Sequence, residues 1–403
     1  MRKLIIDKFG PVEHAEIEIK KVNLFIGKQS IGKSTIAKLI TILTDHINLI
    51  MLIDGGHNAW RMLLDEYSLS AYLVNQNYRI EYYVAENQYE LQMNIDRNKL
   101  SVDGKVKGKK VDNRILANAV FISKPIFHND ELVKQLLHMR LKDGESLKKT
   151  VELMKDSLYI PAERNVVSVV SKLQAAIMLS DSIVPKTLLR FILELNNARE
   201  SQAKWDVPLL DISYVWENNE DYFVMDGRKS KMPLRVASSG IQSLLPLYIV
   251  LKYALAKKEY SSYVIEEPEC NLFPDKQIAL LNFLVKAVDN ELMTLTITTH
   301  SPYLLSAMNN YLFAGELIKK YAVKAKDAIK DRLGEYPAIN AEELSVYSLG
   351  DDINPNKVYC ESILDEKSGM ISANSLDGIS VMMGNDFDKL DEISFELNSD
   401  TDA

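Results

Sequence analysis

Apolar and polar positions divide the first third of the chain into strands and a helix. Lys3–Phe9 alternates as a half-buried strand does, and Val22–Ile26 is continuously apolar, which is typical of a buried strand. From Ile36 onward, apolar residues recur at the spacing of one helix face. Alternating runs between Tyr78 and Val102 predict a meander of short antiparallel strands.

The second half of the chain has the pattern of a parallel sheet. Tyr263–Glu267 and Thr294–Thr298 are β-rich runs of the fully buried kind, and a helical stretch separates them. Leu158–Arg164 predicts a strand that leaves the sheet at its proline. The pattern therefore predicts an α/β fold with a mixed sheet core, an antiparallel β subdomain and a helical insertion at about residues 124–204.

Composition excludes several classes of protein. Of 403 residues, 47% are hydrophobic and 26% charged, so the chain can bury a core and is neither disordered overall nor fibrous. Cys270 and Cys360 are too few for a disulfide framework or a cysteine-rich zinc site, which favours a reducing compartment, and we expect the cytoplasm.

No membrane segment is expected from the apolar runs. The two most apolar stretches, Leu39–Ile53 and Leu244–Ala256, are interrupted by polar or charged residues. Both fall short of the roughly 18 uninterrupted apolar residues that a span needs. We therefore predict two core helices and no signal peptide.

Charge is unevenly distributed along the chain. The net charge is −8, but residues 351–403 contain 13 acidic and 3 basic residues, which leaves 45 basic and 43 acidic residues in the first 350. Two basic clusters lie in that near-neutral part, and each is either a phosphate contact or a solvated surface. Their members are Arg97, Lys99, Lys105, Lys107, Lys109 and Lys110 in the first, and Lys319, Lys320, Lys324, Lys326, Lys330 and Arg332 in the second.

A glycine-rich segment after the buried strand 22–26 matches the phosphate-loop pattern G-x-x-x-x-G-K-[ST]. Glycines let successive backbone N–H groups point at phosphate oxygens, and the following helix adds its positive end. Lys33 is predicted to contact the β- and γ-phosphates, and the Ser34 hydroxyl to ligate Mg²⁺. The predicted nucleotide-binding residues here are Gly27, Lys28, Gln29, Ser30, Ile31, Gly32, Lys33, Ser34 and Thr35.

Paired acids end the buried strand 263–267. Glu266 is predicted to hold the magnesium ion, and Glu267 to take a proton from an attacking water. The alternative is a solvated turn after a core strand. Because a phosphate loop lies upstream, the catalytic interpretation is favoured.

Two further segments add candidate phosphate contacts. Ser238 and Gly240 open an apolar helix, where they are either phosphate ligands or a helix cap. His300 follows the second buried strand, where it reaches a γ-phosphate or plays a structural role.

The order and spacing of these segments resemble those of ABC-type P-loop ATPases of the SMC, RecF and OLD group. The resemblance implies that Ser238 and Gly240 are signature residues, that Glu267 and His300 are catalytic, and that ATP and Mg²⁺ are bound. It implies an ATPase head at residues 1–303 and a C-terminal accessory region with an acidic tail at residues 304–403. The signature reads Ser-Ser-Gly-Ile-Gln, which departs from the usual Leu-Ser-Gly-Gly-Gln.

Glu266–Glu269 and Tyr159–Arg164 also resemble segments of stand-alone ATPases in prokaryotic anti-phage defence, of the Septu-type and retron-associated kinds. Arg164 would then contact nucleotide or a partner subunit, or else pair with Glu163 or a neighbouring acid at the surface. A Q-loop is not assigned: Gln88, Gln92 and Gln135 are all candidates.

The resemblance implies a switch ATPase that forms a head-to-tail homodimer or higher homo-oligomer through bound ATP. Its dimerisation would control a separate nuclease or effector protein, because no nuclease cluster is found in the last hundred residues. The alternative is an ATP-gated clamp on DNA, as SMC- and RecF-like proteins form.

Overall fold

Three β-sheets and the helices packed on them make up the part of the chain that the computed structural model describes, namely residues 1–74, 77–86, 89–122, 156–167, 184–258, 260–288, 293–350, 356–365 and 367–372. In chain order the strands are β1 (Arg2–Phe9), β2 (Val12–Glu18), β3 (Val22–Gly27), β4 (Arg79–Glu86), β5 (Tyr89–Asp96), β6 (Leu100–Val106), β7 (Lys109–Lys110), β8 (Ser157–Ile160), β9 (Lys204–Val207), β10 (Ile212–Glu217), β11 (Glu220–Met225), β12 (Met232–Pro233), β13 (Ser262–Glu266), β14 (Thr294–Thr299), β15 (Leu344–Leu349) and β16 (Cys360–Ser362). The helices are α1 (Lys33–Thr44), α2 (His46–Glu66), α3 (Asn113–Ile122), α4 (Lys186–Ser201), α5 (Ser239–Lys257), α6 (Pro274–Ala287), α7 (Pro302–Tyr321) and α8 (Val323–Leu333).

The central sheet has the order β16-β15-β3-β14-β13-β8, and its strands are parallel except for the edge strand β16. Strands β3, β13 and β15 are buried along their whole length, which is the continuous apolar pattern that parallel sheets require. Register places Glu266 opposite Thr298 and Thr299 opposite Ile26. The carboxyl ends of β3, β13 and β14 therefore meet at one edge.

Two antiparallel sheets flank the central one. The larger has the order β2-β1-β4-β5-β6-β7, and its apolar face shares a core with α1, α2 and α3. The smaller has the order β12-β11-β10-β9 and packs with α4 and α5. The predicted α/β fold, with a mixed sheet core and an antiparallel β subdomain, is confirmed.

The apolar stretch 39–53, predicted as one core helix, is instead divided between α1 and α2, which meet at an angle of 80°. Asp45 breaks the helix because its buried carboxylate accepts hydrogen bonds from the backbone N–H groups of Ile47 and Asn48, each at 3.0 Å. A polar residue that the sequence analysis treated as an interruption is therefore a cap of α2.

The apolar stretch 244–256 does form one helix, α5. Among the described residues, α5 is the single helix with the length and mean hydropathy of a membrane span. Helices α1 and α2 reach that length and hydropathy only when they are taken together, and they are bent by 80° at their junction. More than half of the apolar window of α5 is buried between the sheets. These are the features of a core helix.

Residues beyond 303 also contribute to the central sheet. Strand β15 pairs in parallel with β3, and its Leu349 lies opposite Gly27. The division of the chain at residue 303 stays a prediction, as does most of the helical insertion, because residues 123–155 and 168–183 lie outside the described part. Residues 373–403, which include most of the predicted acidic tail, also lie outside it.

Candidate functional site

The loop between β3 and α1 wraps around the side chain of Lys33. Its Nζ donates hydrogen bonds to the carbonyl oxygens of Gly27 at 2.9 Å and Lys28 at 2.7 Å. Ser30 and Gly32 have positive φ values of 60° and 99°, which turn the backbone of the loop. Burial lowers the pKa of Lys33 to about 8, although Glu267, Glu269 and Glu266 oppose the shift.

Two glycines of the loop have no room for a side chain. A Cβ on Gly27 would lie 2.6 Å from the carbonyl oxygen of Leu349, and one on Gly32 would lie 2.8 Å from Cγ2 of Val12. Close backbone approach of this kind is what a loop that holds phosphate requires.

Tyr359 supports the same loop from the C-terminal part of the chain. Its hydroxyl donates to the carbonyl oxygen of Pro11 at 2.7 Å and contacts that of Ile31. Tyr359 was not among the predicted site residues, because nothing in the local sequence pattern links position 359 to the loop.

The acidic turn follows β13 at the same sheet edge. Glu266 is buried, and its Oε1 has no hydrogen-bond partner among the described residues. Burial raises the pKa of Glu266, and the hydroxyls of Tyr159 and Ser34 oppose that shift. An unpartnered buried carboxylate oxygen beside the Ser34 hydroxyl is a donor set that fits Mg²⁺, which takes few carboxylates and completes its shell with phosphates and water.

Glu267 and His300 form a pair at the opening of the site. His300 Nε2 lies 3.2 Å from Oε1 of Glu267, and Cys270 Sγ lies 3.2 Å from Oε2. The hydrogen bond from His300 is the main cause that lowers the pKa of Glu267 to about 2. Glu267 also has a left-handed backbone, with φ of 42°.

Glu269 positions His300 from below. Its buried Oε1 accepts hydrogen bonds from the Thr299 hydroxyl at 2.6 Å and from the His300 backbone N–H at 2.8 Å. No role was predicted for Glu269. The feature of the sequence that could have indicated one is its position as the third carboxylate of the acidic turn.

The predictions for Arg164 are wrong, since it neither lies at the nucleotide site nor forms an ion pair at the surface. It is 0% exposed, so it cannot pair with Glu163 at the surface, and it does not line the cleft. Its guanidinium instead donates to carbonyl oxygens of Pro161 and of residues 266–268.

An open cleft of about 710 Å³ lies between these groups. Its volume is within the usual range for small-molecule sites. Eight of the predicted residues line it, together with Gly10, Pro11 and Tyr72, which were not predicted. The predicted residues Gly27, Lys28, Ile31 and Glu266 do not line it. The complete lining is Gly10, Pro11, Gln29, Ser30, Gly32, Lys33, Ser34, Thr35, Tyr72, Glu267 and His300.

The groups around the cleft have the chemistry of a site for a nucleoside triphosphate and Mg²⁺. The loop supplies backbone donors and one ammonium, and the acidic turn supplies the carboxylates. In the described part of the chain, no group of three or more His, Cys, Asp or Glu side chains is arranged to hold a metal ion. A magnesium ion shared between Ser34, Glu266 and phosphates needs no such cluster.

Ser238 and Gly240 do not line the cleft. Ser238 is exposed at the N-terminus of α5, and its hydroxyl makes no capping hydrogen bond. Gly240 packs on the loop after β13, where a Cβ would lie 2.8 Å from the Asn271 carbonyl oxygen. Val236 and Phe273 nearby in sequence are 66% and 78% exposed.

The Q-loop remains unassigned. Gln92 lies on β5 with an exposed side chain and does not line the cleft, and Gln88 and Gln135 fall outside the described residues.

Comparison with known families supports the same kind of site. The family model described as AAA ATPase domain matches residues 1–305, which is most of the chain. The chain belongs to this AAA ATPase domain family. Members of the family bind nucleotide, in agreement with the phosphate loop and the acidic turn found at one sheet edge. No curated protein sequence matches the chain.

Solved structures that are similar to the chain include two SMC head domains and a RecF protein. The SMC head domain from Thermotoga maritima is 13% identical with a TM-score of 0.36, covering 75% of this chain and 90% of that one. An SMC head bound to the winged-helix domain of ScpA is 12% identical with a TM-score of 0.40, covering 91% and 98%. The recombination mediator protein RecF is 13% identical with a TM-score of 0.30, covering 74% and 92%.

Proposed function

We propose that the protein is a Mg²⁺-dependent ATPase of the ABC type that hydrolyses ATP to ADP and phosphate. The observation that carries the proposal is the convergence of Lys33, the unpartnered oxygen of Glu266 and the Glu267–His300 pair at one sheet edge. In this proposal the loop and Lys33 bind the phosphates, and Ser34 and Glu266 hold Mg²⁺. The ion neutralises charge that develops on the phosphate oxygens.

Glu267 acts as the general base. It takes a proton from the water whose oxygen attacks the γ-phosphorus, while the bond from that phosphorus to the bridging oxygen of ADP breaks. His300 contacts the γ-phosphate, and Glu269 keeps His300 in place through its backbone N–H. Proton transfer of this kind contributes about 10²- to 10⁴-fold to a rate.

A second copy of the chain completes the site. Ser238 and Gly240 lie outside the cleft of their own subunit, and the Ser238 hydroxyl is exposed without a capping bond. Val236, two residues before Ser238, and Phe273, two residues after Asn271, are exposed apolar side chains. In a head-to-tail homodimer, Ser238 and Gly240 reach the γ-phosphate held by Lys33 of the other subunit.

The output of this cycle is a conformational signal, since ATP holds the two subunits together and hydrolysis removes the bridging charge. We propose that the dimer controls a separate effector or nuclease in anti-phage defence in the cytoplasm, as the resemblance of the acidic turn and of residues 159–164 implies.

An ATP-gated DNA clamp is the second candidate function. Helix α8 favours it, because none of its residues is buried and it carries Lys324, Lys326, Lys330 and Arg332 on an exposed surface. Contacts to DNA phosphates give an affinity that falls steeply with salt. Binding to duplex DNA at increasing salt concentration therefore separates the two functions.

The proposed ATPase cycle is tested with Glu267→Gln and Ser238→Arg. Glu267→Gln should bind ATP, lose hydrolysis and accumulate as a dimer, because binding is retained while water activation is lost. Ser238→Arg should bind ATP as a monomer. Light scattering after gel filtration, with and without ATP, measures both outcomes, and a monomeric Glu267→Gln protein at saturating ATP would contradict the model.

A further inference from the structure

We propose that Arg164 is a positioning residue for hydrolysis, which holds the backbone of the acidic turn so that the Glu267 carboxylate faces the cleft. The inference rests on the proposed function of Glu267 as general base. Arg164 itself does not line the cleft, so it acts through the turn and makes no contact with the reacting atoms.

The contacts of Arg164 are concentrated on one short stretch of backbone. Nη1 donates to the carbonyl oxygens of Glu266 at 2.8 Å and Pro161 at 3.2 Å, and Nη2 donates to those of Glu267 at 2.7 Å and Pro268 at 3.2 Å. A planar guanidinium can serve several acceptors in this way because its donors form a rigid fork.

Three consecutive carbonyl groups that converge on one side chain cannot belong to a strand, in which successive carbonyls point in alternating directions. The chain must turn at the end of β13, and the φ of 42° at Glu267 is part of that turn. A left-handed conformation is costly for a residue with a side chain. The guanidinium stabilises it by donating hydrogen bonds to the carbonyl oxygens that the turn directs inward.

Strand β8 brings Arg164 to the acidic turn. It pairs in parallel with β13, and Ile160 lies opposite Ile265, next to the residue that ends β13. The chain therefore leaves β8 beside the end of β13, which places the Arg164 guanidinium within reach of the carbonyl oxygens at positions 266–268.

The experiment compares Arg164→Met and Arg164→Lys with Arg199→Met. Arg199 is the matched control because it is also buried and forms an ion pair with Asp221, but it lies on α4 beside the small sheet, away from the cleft. For each folded variant we measure the midpoint of thermal unfolding, the Kd for ATP and the single-turnover rate of hydrolysis, with Glu267→Gln alongside.

Both methionine variants should unfold at lower temperature than the wild type. Only the Arg164 variants should hydrolyse slowly, by about 10- to 100-fold, which is the loss that a small displacement of a catalytic group produces. Their Kd for ATP should stay that of the wild type. Arg164→Lys keeps the positive charge but loses the planar set of guanidinium donors, so it should also hydrolyse ATP slowly. If Arg164→Met does not fold, Arg164→Lys is the variant that is compared with the wild type.

Wild-type hydrolysis rates in the folded Arg164 variants would overturn the inference, and so would a loss confined to the Kd for ATP. These results are distinguishable from a failure of the proposed function. If Glu267→Gln hydrolyses ATP normally, the general base is misassigned; if Glu267→Gln is inactive while the Arg164 variants are not, only the inference on Arg164 fails.

Discussion

His300 Nε2 lies 3.2 Å from Oε1 of Glu267, and this contact sets the basicity of the carboxylate. With its pKa lowered to about 2, Glu267 is a weak base, since the strength of a general base follows its pKa. A γ-phosphate that draws the imidazole toward itself would weaken the pair and raise that pKa. In the proposed cycle, Glu267 would therefore stay weakly basic until the nucleotide is bound.

His300→Ala should raise the pKa of Glu267 toward its ordinary value, and it should nevertheless slow ATP hydrolysis because the proposed contact of His300 with the γ-phosphate is lost. In the wild type, Glu267 contributes stability at pH values above its unfolded pKa, and that contribution is lost as the pH falls from about 4.5 toward 2. The variant should lose less stability in this window. Urea unfolding between pH 5 and pH 3 measures the slope, and identical slopes would contradict the assigned cause. His14→Ala is the control, because His14 pairs with Asp7 at 2.6 Å on the exposed antiparallel sheet.

Lys33→Met should abolish ATP binding and remove a pH dependence. Because the pKa of Lys33 is lowered to about 8, the ammonium loses its proton in the nucleotide-free protein above that pH. The wild-type affinity for ATP should therefore fall as the pH rises past 8. Between about pH 8 and 10.5 the unfolded chain binds more protons at this site, so its contribution to stability rises with pH. Calorimetric titration with ATP at several pH values tests the first statement, and an affinity independent of pH would refute it.

Gly32→Ala should weaken nucleotide binding and destabilise the fold. At φ of 99° an alanine is strained, and its Cβ would lie 2.8 Å from Val12 and 3.2 Å from the Tyr359 hydroxyl. We expect a loss of about 1–3 kcal/mol in the free energy of unfolding. Gly227→Ala is the matched control, because Gly227 also has a positive φ but nothing within 4 Å of its Cβ position. Equal effects of the two substitutions on the Kd for ATP would argue against a role of this position in the loop.

Tyr359→Phe should lower the affinity for ATP while leaving the chain folded. It removes the hydroxyl that holds the Pro11 and Ile31 carbonyls, at a cost of about 1 kcal/mol for a hydrogen bond of this kind. Tyr321→Phe, at a half-exposed position on α7, should change neither property. If fluorescence-monitored ATP binding is the same in both variants, residues beyond 350 do not support the loop.

Local sequence was sufficient for much of the site. The phosphate loop and the acids at positions 266 and 267 were predictable because each follows a buried parallel strand, and parallel strands end at a common edge. Glu269 and Arg164 were not. Arg164 donates to backbone carbonyl oxygens at positions 266–268, and Glu269 accepts from the Thr299 hydroxyl and the His300 backbone N–H, so neither has a charged partner that residue types could reveal.

The sequence by itself determined the α/β class and the buried strands, through the periodicity of apolar residues, and the candidate ATP site, through the glycine-rich motif. Each of these signals lies within a short segment of the chain. Tertiary structure alone decided that Leu344–Leu349 joins the central sheet beside β3 and that Tyr359 reaches the phosphate loop. It also decided that Arg164 lies buried beneath the acidic turn rather than at the surface. These contacts join residues 100 to more than 300 positions apart, and their energy comes from packing and hydrogen bonds that exist only once the sheet has assembled.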